Sequence, residues 1–248
     1  MMHKLGMMAG TVNAGVGFLP TDISGLVLWL DSTDNDTILN ASDLAASNGE
    51  NVKTWQDKSG NDYHVTQSTV NRQPIYKTSA VALSKPVIHF DDVVNSTALQ
   101  RTTDSIQTTG STMFMAFSNA NAGGPNSIIM SGGNANGHLI TENGAVSGGT
   151  EIVMTAGAAV NPADYMFDTG YALAMVWNGA SSKHYQNGVL QGTANAGTLT
   201  SSGITIGAFR TGAAPADIQF GEVLYYDSVL DDAQVATVSD YLASKYGF

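Results

Sequence analysis

Cleaving a glycosidic bond takes two carboxyl groups held about 5–9 Å apart. The acids of this chain are not spaced to form such a pair. Of its 21 acidic residues, 17 are Asp and only four are Glu (Glu50, Glu142, Glu151 and Glu222). Asp31, Asp34 and Asp36 lie close together, but in a polar run that reads as a loop. A second cluster, Asp57, Asn61 and Asp62, falls in the turn-rich stretch 56–62. Hard oxygen ligands of this kind suit calcium, and they equally suit turns tied by side-chain bonds to the backbone. The five histidines are His3, His64, His89, His138 and His184, of which His89 and His184 fall within strand patterns. Only three arginines (Arg72, Arg101, Arg210) are available to hold a polyanion. The absence of cysteine excludes disulfides, thiol catalysis and cysteine-ligated zinc. No glycine-rich stretch has the phosphate-loop spacing between a strand and a helix.

Sugar recognition calls for exposed aromatic faces beside small polar groups. Tyr63, Tyr165, Tyr185 and Phe209 sit by loops or on a hairpin and are the candidate platforms. Asn134, Asn136 and His138 belong to the stretch Gly132-Gly-Asn-Ala-Asn-Gly-His138, whose small and amide groups suit a glycan-binding loop. Trp29, Trp55 and Trp177 lie in or next to apolar runs and are expected in the core.

The elements that must position these groups are strands. The runs 26–30, 86–90, 112–118 and 171–178 have strand length and apolar character. Shorter strands are expected at 52–55, 127–130, 138–140, 151–155 and 204–206. Residues 183–190 form a hairpin around Asn187-Gly188, a pair suited to a type I′ turn. Ile218–Tyr226 is the last strand. A terminal helix follows over Gln234–Tyr246, with Asp231 as cap and Gln234 returning the bond as a capping box. Val235, Val238, Tyr241, Leu242 and Tyr246 share one face of it, and Gly247 stops it. About a dozen strands and one helix predict an all-β, two-sheet antiparallel sandwich in a single domain over residues 20–248.

Composition narrows the partners. The chain has 248 residues, 27 glycines, only 12% charged residues and a net charge of −11. This leaves no basic footprint for nucleic acid and disfavours anionic membranes; no apolar run reaches the roughly 20 residues of a membrane span. The stretch 1–19 is rich in Met and Gly and is expected to be a docking arm, with Met1, Met2, Leu5, Met7, Met8, Val12, Val16 and Phe18 as its assembly residues. It is a poor secretion signal, because Gly6 and Gly10 interrupt any apolar core. That is the expectation for a protein released with a virus particle.

Five segments in order carry a resemblance: Gly25-Leu-Val-Leu-Trp-Leu-Asp31, Trp55-Gln-Asp-Lys-Ser-Gly-Asn61, Pro86-Val-Ile-His-Phe-Asp91, His184-Tyr-Gln-Asn-Gly-Val-Leu190, and Phe220-Gly-Glu-Val-Leu-Tyr-Tyr-Asp227 with Tyr241-Leu-Ala-Ser-Lys-Tyr-Gly247. Together they resemble the concanavalin A-like lectin/glucanase superfamily, in its bacterial and phage laminin G-like branch, over residues 20–248. The resemblance implies a jelly roll with carbohydrate-binding or adhesive function. It also implies a calcium ion at the sandwich rim, for which Asp57, Asn61 and Asp62 are the candidates. The superfamily's glucanases carry Glu-x-Asp-x-x-Glu on one strand, and this chain has no such string; the lyase motifs do not match either. The expectation is a non-enzymatic component of a phage-type virion, displayed at its surface or alternatively at a cell surface. It would contact neighbouring subunits through its arm, bind surface glycan, and assemble as a homo-oligomer, threefold among the arrangements. A decoration protein without a glycan ligand and a polysaccharide hydrolase or lyase are the alternatives.

Overall fold

The computed structural model describes residues 17–80, 82–91, 96–103, 106–119, 127–133, 138–143, 150–165, 169–200 and 202–248. In chain order the strands are β1 (Leu26–Asp31), β2 (Ile38–Leu39), β3 (Thr54–Trp55), β4 (Val65–Thr66), β5 (Ile75–Lys77) and β6 (Val87–Phe90). They continue as β7 (Leu99–Arg101), β8 (Ser111–Asn119), β9 (Ser127–Gly132), β10 (Leu139–Asn143), β11 (Thr150–Thr155) and β12 (Ala159–Tyr165). The last are β13 (Gly170–Trp177), β14 (Ser182–Gln186), β15 (Val189–Ala194), β16 (Ile204–Ile206) and β17 (Ile218–Tyr226), followed by one helix, α1 (Asp232–Tyr246).

The strands form two antiparallel sheets. The first runs β15-β14-β13-β8-β17-β6-β5, with β1 also paired to β17. The second runs β12-β11-β10-β9-β16-β7-β4-β3-β2. The predicted two-sheet sandwich with a C-terminal helix is therefore the observed fold. Strand β12 was not expected, because Pro162 and Asp164 break its apolar pattern.

Leu28, Leu30, Trp55, Met113, Met115, Phe117, Met175, Trp177, Phe220 and Tyr225 fill the space between the sheets. The opposite side of the first sheet is also apolar: Phe114, Ala116, Ala172, Ala174, Val176, Leu224 and Tyr226 face α1. The helix answers with Val235, Val238, Leu242 and Tyr246, all buried. Each such side chain contributes about 1.5–3 kcal/mol relative to exposure. Both faces of β13 and β17 are thus covered, and every residue of either strand is buried.

The helix ends are well specified. The Asp231 carboxylate accepts from the Gln234 amide, and the Gln234 side chain accepts from the Asp231 amide. Gly247 closes the helix in the left-handed region at φ 80°.

Candidate functional site

Strand register sets two ends of the sandwich. At one end lie the starts of β1, β8, β10, β14 and β16 and the ends of β7, β9, β11, β13 and β17. The connections there nest tightly. Gly197, at φ +88°, brings its Cα against the Ala156 carbonyl, where a Cβ would overlap that oxygen. Gly203, at φ +67°, does the same against the Arg101 carbonyl. The amide of Gly133 donates to the Ser202 carbonyl at 2.6 Å, and that of Leu199 to Ala156 at 2.9 Å. Residues 155–158, 178–181 and 195–203 contain no Lys, Arg, Asp or Glu. Asn178, Asn195, Thr198, Leu199, Thr200 and Ser202 are exposed on this surface. These loops offer hydroxyls, amides and backbone groups without charge; Arg101 at the end of β7 and Asp227 just after β17 are charged neighbours at the same end.

Beneath these loops lies a buried stack. The His138 ring is parallel to Trp177 at 4.2 Å between centroids, with Tyr225 beside both. A chain of donors runs from His138 Nδ1 to Tyr225 Oη (2.9 Å), to Ser111 Oγ (2.7 Å) and to the Thr108 carbonyl (3.4 Å). Its direction assigns the proton to Nδ1. Burial pushes His138 down to about 3, so the imidazole is neutral, and its Nε2 has no partner among the described residues. Burial likewise pushes His184 down to about 4. It pushes the Tyr225 hydroxyl far up.

The predicted sugar-binding residues do not converge. His138 is only 1% exposed and Tyr185 only 3%. Both lie inside the molecule, Tyr185 on the helix-covered face with its hydroxyl donating to Asp232 at 2.7 Å, so neither presents a platform. Tyr63 is half-buried against the core, with the Arg101 guanidinium 5.0 Å from its ring centroid. Phe209 is half-buried at the other end of the sandwich and carries the Arg210 guanidinium at 4.6 Å. Tyr165 ends β12, and its side chain lies outside the described residues, as do Asn134 and Asn136. No described aromatic side chain is fully exposed.

The proposed calcium ligands do not fit a cation. Asp57 Oδ1 accepts from the amides of Trp29 and Ser59, both at 2.8 Å. Its Oδ2 accepts from Ser59 Oγ at 2.7 Å and the Tyr63 amide at 3.0 Å. The Asn61 amide nitrogen donates to the Val27 carbonyl at 3.2 Å, and Asp62 is exposed at φ 58°. These residues staple the 56–63 turn to β1. Among the described residues, no group of three or more His, Asp or Glu is placed to hold a metal. Of the arm residues, Phe18 is described, edge-on to Tyr241 at 5.7 Å; Met1 to Val16 lie outside the described residues.

The helix-covered face holds a cluster that the sequence reading missed. Asp31 and Glu222 are cross-strand partners on β1 and β17, and Lys245 of α1 bridges them at 2.9 and 2.7 Å. Glu222 also accepts from Trp29 Nε1 (2.7 Å), Tyr241 Oη (3.0 Å) and Tyr246 Oη (3.2 Å). Asp31 accepts from Thr33 and from Lys58, whose ammonium also meets Asp34 at 2.8 Å. Burial pushes the Glu222 carboxyl up, against the pull of Lys245. Burial works the same way on Asp31, but Lys245, Thr33 and Lys58 together outweigh it and hold that carboxyl low. This is a carboxylate pair, yet its oxygens are occupied by protein donors under the helix, leaving no room for a sugar. The signal for it was a lone acid in the otherwise apolar run 218–226 and a lone lysine between two helix tyrosines.

No protein-family model and no curated protein matches the sequence. Solved structures do match in shape. Domain 4 of AbnA, an extracellular arabinanase of Geobacillus stearothermophilus, in complex with arabinotriose, superposes with a TM-score of 0.60 at 12% identity, covering 86% of this chain and 98% of that domain. The binding domain of Paraclostridial Mosquitocidal Protein 1 gives 0.59 at 11% identity, covering 89% of this chain and 52% of that one. Trypanosoma rangeli sialidase in complex with sialic acid gives 0.53 at 13% identity over 90% of this chain, which spans only 33% of the sialidase. At such identities these likenesses establish the fold alone: the chain is a β-sandwich of the shape shared by these three proteins.

Proposed function

We propose that this chain is a non-enzymatic carbohydrate-binding or adhesion module of a phage-type virion, recognising glycan at a host surface. The observation that carries the binding part is the likeness to domain 4 of AbnA, which it matches over 98% of that domain's length and which is described in complex with arabinotriose. The uncharged loop surface around Thr198, Thr200 and Ser202 supports a neutral sugar held by hydrogen bonds. The sealed Asp31–Glu222 pair favours binding over cleavage. The virion setting rests on the resemblance to the phage laminin G-like branch and on the Met- and Gly-rich arm, which would hold the module to neighbouring subunits.

The test is a glycan array followed by titration calorimetry with the best neutral oligosaccharide. Saturable binding, weakened by Thr198→Ala and Thr200→Ala, is expected. Reducing-end release or a rise in 235 nm absorbance would instead identify a hydrolase or a lyase. One observation favours a second reading, a decoration protein without a glycan ligand: no described aromatic is exposed to stack on a sugar. An array with no binding, from protein that still attaches to purified particles, selects that reading.

A further inference from the structure

Among the described residues five strands have a single strand neighbour, and four of them carry devices that block pairing with another chain. The open side of β1 is taken by the 57–61 turn, whose Asp57 carboxylate accepts from the Trp29 amide and whose Lys58 amide donates to the Trp29 carbonyl. Strand β2 is two residues long, and β5 is three residues long and ends in Lys77. Strand β12 contains Pro162, which has no amide to donate, and Asp164. Short edges, charges and proline are the usual protections of a sheet edge. Strand β15, Val189-Leu-Gln-Gly-Thr-Ala194, has neither proline nor charge; its one irregularity, at Gln191, leaves Gly192 to Ala194 in regular pairing. It is six residues long, pairs only with β14 among the described residues, lies beside β12, and is largely exposed. Val189 and Leu190 are 63% and 46% exposed, and Leu199, just beyond the strand, is 45% exposed.

Charge points the same way. The chain carries a net −11, so two copies repel over most of their surface. Between Lys183 and Arg210 the sequence has no Lys, Arg, Asp or Glu. The β15 edge lies within that stretch, so pairing there brings together no charge of the edge strand itself; the charge opposite Thr193 on β14, that of Lys183, is paired with Asp232. An antiparallel strand is also self-complementary: a two-fold axis through it matches each donor with the acceptor of the same strand in the other copy.

We propose that a second copy of this chain docks on β15, joining the two eight-stranded sheets edge to edge about a two-fold axis. Gln191 is the extra residue of an irregularity opposite the His184–Tyr185 step. The regular pairing therefore covers Gly192, Thr193 and Ala194, with Val189 and Leu190 as flanking apolar contacts. Exposed Thr193 lies next to the axis.

Sedimentation velocity of the intact chain at micromolar concentration tests this. A species of twice the chain mass is expected, strengthened by salt as the repulsion is screened. Thr193→Lys sets two ammonium groups across the axis and is expected to raise the dissociation constant at least about tenfold, with an unchanged melting temperature. Leu190→Lys, at a second exposed position, is expected to do the same. Leu44→Lys, 65% exposed on the far side of the fold from β15, is expected to leave the dimer intact. A monomer at about 100 μM, where contacts of biological strength are populated, overturns the proposal. So does a trimer, since an isologous edge closes at two. A dimer that both lysine variants leave unchanged overturns it as well.

Discussion

Two buried polar clusters hold this sandwich together, and they do so by opposite means. Under α1, Asp31, Glu222, Lys58 and Lys245 are joined as ion pairs, and each finds several partners. Under the loop end, His138 is kept neutral, stacked on Trp177 and bonded, among the described residues, through one nitrogen only. A buried charge is tolerated only when it is paired, whereas a histidine can escape the same cost by giving up its proton. The first cluster should therefore be sensitive to removal of a partner, and the second to pH.

The largest effect is expected from Lys245→Met. It leaves two carboxylates side by side with their shared cation gone, one of them wholly buried. A loss of about 3–5 kcal/mol in urea unfolding is expected. Adding Glu222→Gln to Lys245→Met should restore part of it, because the carboxylate left without a cation is then absent, while Asp31 keeps Lys58. If the single variant loses under about 1 kcal/mol, the cluster is not the buried ionic clamp described here.

The histidine end should dominate stability between pH 5 and 6.5. His138 and His184 have folded values depressed to about 3 and about 4 from 6.5. In that window the unfolded chain takes up protons that the folded chain refuses. Their contribution is complete above about pH 6.5 and falls as the pH drops towards the folded values, by at most about 1.4 kcal/mol per pH unit for each histidine. The carboxylates act lower and partly cancel. Asp31, held low, contributes stability above its ordinary value of 3.8 that is lost on acidification; Glu222, pushed up from 4.5, costs stability once the unfolded chain ionises. His138→Phe keeps a ring against Trp177 and should roughly halve the slope of unfolding free energy between pH 5 and 6.5. An unchanged slope would show that His138 is solvated in the folded chain.

The comparison also explains what could be read in advance. Apolar runs located β1, β8, β13 and β17 closely, and the Asp231–Gln234 capping box located α1, because strand length, periodicity and capping are local properties. Strand alternation gives Tyr185 an outward side, but α1 covers that side of the first sheet above it. Tyr185, opposite a core-facing His184, points into α1 instead of solvent. His138 looked like a loop residue in a glycine-rich stretch; its burial depends on Trp177 and Tyr225, 39 and 87 residues further along the chain. Asp57 looked like a cation ligand, and the strand amide that claims it, that of Trp29, lies 28 residues away. The Asp31–Lys245–Glu222 bridge joins three distant segments; the lone acid and the lone lysine mark two of its members, but nothing local pairs them.

A smaller loss tests the start of the same helix. The Asp231 side chain caps an exposed helix terminus, with no buried charge behind it. Asp231→Ala should cost about 1 kcal/mol, within the usual range for such caps. Asp231→Ser should recover most of it, measured by thermal melting.

The smallest effect is expected at the other lysine–carboxylate pair of α1. Lys183 meets Asp232 in a short contact, as Lys245 meets Glu222, and the partners again come from the first sheet and the helix. The side chains here are 31% and 66% exposed, against 18% and 0% for the buried pair. Water solvates both charges before and after folding, so little Coulomb energy survives the ordering of two long side chains. Lys183→Ala should therefore cost no more than about 0.5 kcal/mol, and that loss should fade in high salt. Lys245→Met should keep its full penalty at the same salt concentration. Equal losses from the two variants would mean that geometry, and not burial, sets the strength of these bridges, and the contrast between the two clusters would fail with it.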